Sequence, residues 1–202
     1  MKKLFLMATI ALSASAHAFE IHPNFALGLD FGGEKFFEGT LTDGSKRSFN
    51  AGSLAVLTVG ADLRHPIGEV PLETRLAMGF KAAGAQAENG KYDFFRWILE
   101  ASEHYRIDAV PMIVGAGVTW HVSNKVVTEG IFENQATEVD PSLGFFVQSD
   151  YVFRREGGEK YPLGVSEMHL GARVTIQKYT QKAFNKEINA NAFGIHFRSL
   201  LL

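Results

Sequence analysis

Residues 72–82 read LETRLAMGFKA, and this stretch decides the fold class of the chain. Its even positions hold Leu, Thr, Leu, Met and Phe, whereas its odd positions between them hold Glu, Arg, Ala, Gly and Lys. Successive side chains of a β-strand point to opposite faces, so the stretch is predicted to be a strand with one apolar face and one polar face. A helical period of 3.6 residues would mix the two sets.

The same alternation recurs along the chain. In the next segment Phe95 and Trp97 share one face, while Arg96 and Glu100 share the other. Eight strands are predicted in this way, near residues 25–37, 52–64, 72–82, 95–107, 110–123, 142–154, 166–179 and 188–197. The pattern predicts an all-β fold, an eight-stranded antiparallel up-and-down β-barrel that is transmembrane if its apolar face points outward.

Composition narrows the classes of function. The 202 residues suffice for one domain, and 20 Lys and Arg against 22 Asp and Glu argue against a nucleic-acid partner. The chain has no Cys, which excludes disulfides, thiolate metal sites and cysteine nucleophiles. No cofactor is expected.

The first eighteen residues have the features of a secretory signal peptide. Lys2 and Lys3 precede an apolar run over residues 4–12, and small residues lead to Ala16-His17-Ala18. We therefore expect cleavage after Ala18, with residues 19–202 forming the exported barrel domain.

The connections between predicted strands alternate in length. Those near 39–51, 83–92, 124–141 and 180–187 are polar and mostly long, whereas residues 106–109 form a tight turn and the connections containing Pro66 and Pro162 are moderate. Long loops at one end and short turns at the other are typical of outer-membrane barrels.

Alternation alone does not separate a membrane barrel from a soluble periplasmic barrel, which is the alternative. Small residues on the polar face favour the membrane barrel because a narrow lumen has room for little more. They include Gly60, Ala77, Gly79, Gly115, Gly117, Gly144, Gly171 and Gly194.

Aromatic residues on the apolar face fall into two tiers. One tier holds Phe80, Phe95, Trp97, Trp120 and Phe145, and the other holds Phe25, Tyr105, Phe153 and Phe197. Phe95 and Tyr105 are ten residues apart, which at about 3.3 Å per residue and a strand tilt of roughly 40° separates them by about 25 Å along the membrane normal. That distance matches the height of the apolar band between the two aromatic girdles of a membrane barrel.

Over essentially its whole exported length the chain resembles the small eight-stranded outer-membrane proteins of the OmpA, OmpX and OmpW type. A narrower likeness, to the YfaZ-type outer-membrane proteins, is carried by residues 149–153 (SDYVF) and 167–176 (EMHLGARVTI). The resemblance implies a cell outer membrane location, contact with outer-membrane lipid and lipopolysaccharide, and insertion by the barrel-assembly machinery.

Such barrels usually end on an aromatic residue, whereas here Phe197 is followed by RSLLL. The usual C-terminal recognition signal is therefore in doubt.

Charged residues on the polar face are predicted to form a salt-bridged network in a filled lumen. They are Asp30, Asp62, Glu73, Arg75, Lys81, Arg96, Glu100, Asp150 and Arg173. We expect a structural or surface-interaction role through the outer loops and no enzymatic activity. The alternative is a narrow channel for small solutes or ions.

Three further patterns suggest chemistry but also have ordinary structural explanations. His121 and Ser123, two residues apart, are similar to the His-x-Ser-Asn pattern of lipid A deacylases, so an esterase is a second alternative. His104, His169 and His196 share the lumen phase, but no metal site is expected. Loop cations could meet lipopolysaccharide phosphates, namely Lys46, Arg47, Lys91, Lys125, Lys182 and Lys186, although loop acids nearly balance them.

Overall fold

The structure is a computed structural model, and it describes residues 20–201 apart from 41–43, 66, 68–69, 88–89, 108, 131–134, 154–160 and 182–185. The predicted signal peptide, residues 1–18, lies outside the described residues. The strands are β1 (Glu20–Phe31), β2 (Lys35–Thr40), β3 (Lys46–Asn50), β4 (Leu54–Arg64), β5 (Leu72–Ala87), β6 (Gly90–Ile107), β7 (Met112–Gly130), β8 (Gln135–Val139), β9 (Ser142–Phe153), β10 (Val165–Ile176), β11 (Lys178–Gln181), β12 (Lys186–Asn189) and β13 (Ala192–Leu201). A short 3-10 helix, Pro162–Gly164, precedes β10.

Eight of these strands close into a barrel. Each pairs antiparallel with the next in the order β1, β4, β5, β6, β7, β9, β10 and β13, and β13 returns to β1. Asn24 of β1 lies opposite Gly60 on one side and Leu200 on the other, which completes the ring. The predicted all-β, eight-stranded antiparallel up-and-down barrel is confirmed, and with it the resemblance to small eight-stranded barrels at the level of fold.

The end of the barrel with the long connections, here called the upper end, differs from the prediction. Residues 83–92 and 124–141 were predicted to be loops, but β5 continues to Ala87, β6 begins at Gly90 and β7 continues to Gly130. Beyond the ring, β7 pairs with β8, β8 pairs with β11, and β11 pairs with β12. The predicted loops 39–51 and 180–187 also hold strands, including the separate β2–β3 hairpin.

Two strand boundaries also need correction. β1 ends at Phe31 and does not continue to residue 37, because Gly32 and Gly33 follow with φ of 119° and 79° and turn the chain. β13 begins at Ala192 and runs to Leu201, so the residues after Phe197 continue the last strand. Leu200 there is fully buried at the lower end of the barrel.

Burial is inverted relative to a soluble protein. Large apolar residues are exposed on the outer wall, and Ile176, Phe145 and Leu143 keep 62%, 61% and 57% of their surface. Charged side chains such as those of Asp62 and Arg75 are buried inside the ring at 0% and 3% exposure. In the part of the chain that the structure describes, no helix has the length and apolar character needed to cross a membrane.

Candidate functional site

The candidate site is the barrel interior, and its lower half is organised around Arg75 of β5. The Arg75 guanidinium donates from Nε to Asp62 (3.0 Å), from Nη2 to Glu73 (3.1 Å) and from Nη1 to Asp150 (3.2 Å). Asp62 also accepts a hydrogen bond from the Asn24 amide (2.7 Å) and lies 3.7 Å from Arg198 Nη1. One cation on β5 therefore joins carboxylates from β4, β5 and β9.

A second layer of ion pairs lies toward the lower mouth. Arg106 pairs with both Glu73 and Glu167, and its Nη2 lies 3.1 Å from a carboxylate oxygen of each. Arg64 reaches Glu167 at 2.9 Å and Glu73 at 3.4 Å. These charges stand on β4, β5, β6 and β10, so the pairs extend across the lumen near its lower end.

The predicted lumen histidines are close to these carboxylates. His196 Nε2 lies 2.7 Å from Asp150, and His169 Nε2 lies 3.2 Å from Glu167. His104 instead contacts the Ser102 hydroxyl at 2.8 Å. Among the described residues no group of three or more His, Asp or Glu side chains is arranged to hold a metal ion.

The upper half of the lumen contains two further ion pairs. Lys81 Nζ donates to Asp30 at 2.5 Å, which joins β5 to β1 across the interior. Arg173 of β10 forms a bidentate pair with Glu100 of β6, and its guanidinium lies 4.2 Å from the centre of the Phe146 ring. The bidentate geometry is the strong form of this interaction.

Arg96, the remaining predicted lumen cation, has a different environment. Its guanidinium lies between two rings, 4.1 Å from the centre of Phe94 and 4.6 Å from that of Tyr179. Nη2 donates to the Ala51 carbonyl (2.7 Å), and Nη1 is 3.4 Å from His121 Nδ1. No carboxylate among the described residues pairs with Arg96.

An apolar cluster, here called the cap, closes the upper mouth. It consists of Ala51, Leu54, Phe94, Val139, Tyr179, Ile188 and Ala190, with Ala83 packed against it. Tyr179 anchors the cap to the barrel because its hydroxyl lies 2.7 Å from His121 Nδ1 and donates to Gln177 Oε1 at 3.3 Å. Between the cap and the lower ion pairs, a pocket of about 20 Å³ touches Thr58, Glu100 and Arg173, and a space of that size holds about one water molecule.

The predicted interface aromatics lie on the outer wall. Phe80, Phe95 and Trp97 form one group, in which the centre of the Phe95 ring lies 5.4 Å from that of Phe80 and 5.6 Å from that of Trp97. The exposed fractions of the remaining members are 41% for Tyr105, 49% for Trp120, 61% for Phe145, 40% for Phe153 and 39% for Phe197.

The register separates the two residues of the esterase alternative. A β-bulge lies between positions 97 and 98, so His121 pairs with the buried Ile98 whereas Ser123 pairs with the exposed Trp97. The expectation that His121 and Ser123 share a face stays a prediction, because the backbone register shifts between them and the Ser123 side chain is not among those described. The Ser123 side chain lies outside the described part, and so do those of Glu129, Glu133 and Glu138, any of which could supply the carboxylate that orients the base of such an esterase.

Several interior residues were not among the predicted site residues. Arg64, Arg106 and Glu167 lie near the ends of the predicted strands and in the same phase as the predicted lumen charges, so the alternation already indicates an inward face for them. Ala51 and Tyr179 come from segments outside the ring, and no periodicity relates them to the lumen. Of the predicted loop cations, Lys46 is exposed at the upper end. Lys178, which is not among the predicted cations, is exposed there as well.

The fold and interior define a closed eight-stranded antiparallel β-barrel with a charged, buried lumen. No family model matches the sequence, and no curated protein matches it. Among solved structures, the chain is similar to Ail, the attachment invasion locus protein of Yersinia pestis in complex with the heparin analogue sucrose octasulfate, at 12% identity, 89% coverage of this chain, 97% of that chain and a TM-score of 0.47. It is also similar to Neisserial surface protein A, at 10% identity, 91% and 99% coverage and a TM-score of 0.45. At these identities the likeness extends to the fold alone.

Proposed function

We propose that the chain is an outer-membrane barrel with a closed lumen that acts at the cell surface, as a structural or interaction module, through its upper end. The observation that carries this proposal is the inverted burial, with apolar side chains around the outer wall and charges inside the ring.

The outer wall argues for a lipid environment. Exposed Leu, Ile, Val and Phe side chains recur on all eight barrel strands, and an apolar surface of that extent is not kept in water by a soluble protein. A ring of paired strands also satisfies its backbone donors and acceptors internally, as a hydrocarbon environment requires. Outer-membrane lipid, lipopolysaccharide and the barrel-assembly machinery are the partners that such a location implies.

The long connections argue that the upper end faces outward, because outer-membrane barrels have short periplasmic turns and longer extracellular segments. The β2–β3 hairpin and the extension through β8, β11 and β12 belong to this end. Exposed residues there carry both signs, for example Lys178 and Glu187, which pair at 3.1 Å. We place the interaction surface on these segments.

The closed lumen argues against the channel alternative. The cap fills the upper mouth, and the Arg64, Arg106, Glu73 and Glu167 pairs cross the lower end. An eight-stranded barrel has an interior that side chains can just fill. No observation on the described residues favours the esterase, since the bulge separates His121 from Ser123 in register.

Brominated lipids test the membrane location. The chain has two tryptophans, Trp97 and Trp120, and both are on the outer wall with about half of their surface exposed. In vesicles, a quencher near the headgroups should reduce the fluorescence more than one at the acyl-chain ends, while aqueous acrylamide has little effect. Trp97→Phe and Trp120→Phe variants assign the signal. Strong acrylamide quenching with no lipid quenching would contradict the location.

Site-specific photocrosslinking on intact cells tests the surface role. A photoreactive residue at Lys178, which is 70% exposed, should give a discrete adduct with a surface partner. The matched control is Leu99 on the outer wall, where only lipid adducts are expected. If Lys178 and further upper-end positions give only the lipid adducts that Leu99 gives, the interaction role is contradicted and a purely structural role remains.

A further inference from the structure

Glu103 of β6 is an acidic residue on the apolar outer wall. It shares its face with Leu99, Ala101 and Tyr105, and 48% of its side chain is exposed. Between the two tiers of aromatic residues, the described outward positions of the eight barrel strands hold no other Asp, Glu, Lys or Arg. An ionisable group on a lipid-facing wall is costly, so its presence indicates a specific partner.

The position of Glu103 places its carboxylate near the lower headgroups. Tyr105, in the lower aromatic tier, is two residues nearer the end of β6. At about 3.3 Å per residue and a tilt of roughly 40°, Glu103 therefore lies about 5 Å nearer the membrane centre than Tyr105. Its neighbours are small, because Ala116 of β7 lies opposite it in register and Ala101 is the next outward residue. Both alanines are exposed, so a lipid headgroup can reach the carboxylate.

Two polar side chains beside Glu103 complete a group of acceptors. The Thr74 hydroxyl of β5 donates its hydrogen to Glu103 Oε2 at 2.7 Å, which leaves the hydroxyl oxygen as an acceptor. His65 Nε2 lies 3.3 Å from Glu103 Oε1 and 3.4 Å from Thr74 Oγ1. His65 Nδ1 lies 3.0 Å from the Leu63 carbonyl, which only accepts, so the neutral ring holds its proton on Nδ1 and presents the Nε2 lone pair to the carboxylate. Three acceptors thus lie side by side around one negative charge.

We propose that Glu103, His65 and Thr74 bind the primary ammonium headgroup of an ethanolamine phospholipid in the lower leaflet. The ammonium supplies one positive charge and three N–H donors, which match one carboxylate charge and three acceptors. A second copy of the chain would supply no Lys or Arg from the described outward positions at this depth. The site rests on the proposed outer-membrane location, in which the lower end faces phospholipid and not lipopolysaccharide.

Carbodiimide coupling tests the contact in the unmodified protein. In nanodiscs that contain ethanolamine phospholipid, a hydrophobic carbodiimide should join the lipid amine to Glu103 as an amide. One carboxylate oxygen and two ammonium protons pass to the carbodiimide, which leaves as the urea. Glu187 at the upper end, 68% exposed, is the internal control and should form no lipid amide.

Peptide mass spectrometry reads the result of this coupling. Tryptophan quenching by brominated lipids in the same nanodiscs confirms insertion independently of the coupling. A barrel that is inserted, but whose Glu103 is unmodified or carries only the acylurea, overturns this site and leaves the membrane location intact.

Native mass spectrometry tests the choice of headgroup. From an equal mixture of ethanolamine and choline phospholipids with the same acyl chains, the protein should retain the ethanolamine lipid about tenfold more, because the trimethylated choline has no N–H to donate to a charged group. Glu103→Gln should abolish this preference, whereas Ser149→Ala, at an uncharged outward position of β9, is the matched control and should keep it.

Two outcomes of this measurement would overturn the proposal. Equal retention of both lipids by the parent protein would mean that a protonated His65 is a sufficient counter-charge for Glu103. A change of oligomeric state in Glu103→Gln, without a change in lipid preference, would assign the carboxylate to a protein contact.

Discussion

At the scale of single residues, the interior depends on charges that neutralise one another out of reach of water. Arg75 illustrates the principle, since it meets Asp62, Glu73 and Asp150 while it is 3% exposed. Ion pairs of this kind contribute little net stability when formed, but they cost a great deal when one partner is removed. The interior is thus more sensitive to loss of a charge than to the number of pairs it contains.

We expect Arg75→Met to destabilise the barrel by about 3–5 kcal/mol, because three buried carboxylates lose their shared cation while volume is roughly kept. Lys178→Met is the control, since the exposed Lys178–Glu187 pair should contribute less than about 1 kcal/mol. Urea unfolding in lipid vesicles, followed by tryptophan fluorescence, measures both. Equal effects of the two substitutions would show that the interior pairs are screened by water.

Close approach of β4 and β5 makes one glycine hard to replace. A Cβ at Gly79 would lie 2.7 Å from Thr58 Cα, which is backbone and cannot move aside, whereas at Gly144 it would meet the flexible Gln177 side chain at 3.0 Å or more. Gly79→Ala should therefore cost about 1–3 kcal/mol, and Gly144→Ala distinctly less, in the same urea experiment. A larger cost at Gly144 would contradict this packing argument.

At the scale of elements, the sequence predicted those strands whose two faces meet different environments. The boundaries of β4 and β9 agree with the prediction within two residues, because an apolar wall and a polar lumen impose a period of two along the whole strand. The extensions of β5, β6 and β7 were missed, because above the ring neither face needs to be apolar throughout. Small strands such as β11 contribute single residues, Tyr179 among them, to the cap, which leaves no periodic signal.

The bulge beside Trp97 marks another limit of sequence reasoning. One extra residue in β7 shifts its backbone pairing with β6 between His121 and Ser123, and nothing in the sequence there indicates the shift. Strict alternation therefore predicts the barrel strands but not the positions at which their register shifts.

The β2–β3 hairpin forms its own two-stranded sheet, so its removal should leave the barrel intact. We expect replacement of residues 36–49 by a short Gly-Ser linker to preserve the heat-modifiable band on SDS gels and to change the Tm by only a few degrees. Replacement of residues 179–188 should lower the Tm further, because the cap loses Tyr179 and Ile188 over the buried Arg96. Loss of the folded band in the first variant would show that the hairpin supports the ring.

At the scale of the whole molecule, two closures of different chemistry lie in series along the barrel axis. The cap is apolar and built from segments outside the ring, whereas the lower closure is built from ion pairs between barrel strands. An ion would have to pass both, so weakening one of them is not expected to open a path.

Planar-bilayer recordings test this arrangement. The parent protein should give no discrete openings, and the double variant Tyr179→Ala, Ile188→Ala, which empties the cap, should still give none. Openings should require an additional loss of the lower pairs, for example Glu73→Gln with Glu167→Gln. Discrete openings of the parent that change in Arg96 or Glu100 variants would instead support the channel alternative.

The pairing of β1 with β13 has a consequence for how the chain acquires its fold. Asn24 and Leu200, near the two ends of the described chain, meet in the last seam of the ring, so the contact order is high and folding is correspondingly slow. Until β13 has paired with β1, the sheet has two unpaired edges and an exposed apolar face, and this combination favours aggregation. Under the proposed outer-membrane location, a chain of this topology has to cross the periplasm before the seam closes, and the time it spends unfolded is set by the time the seam takes to close.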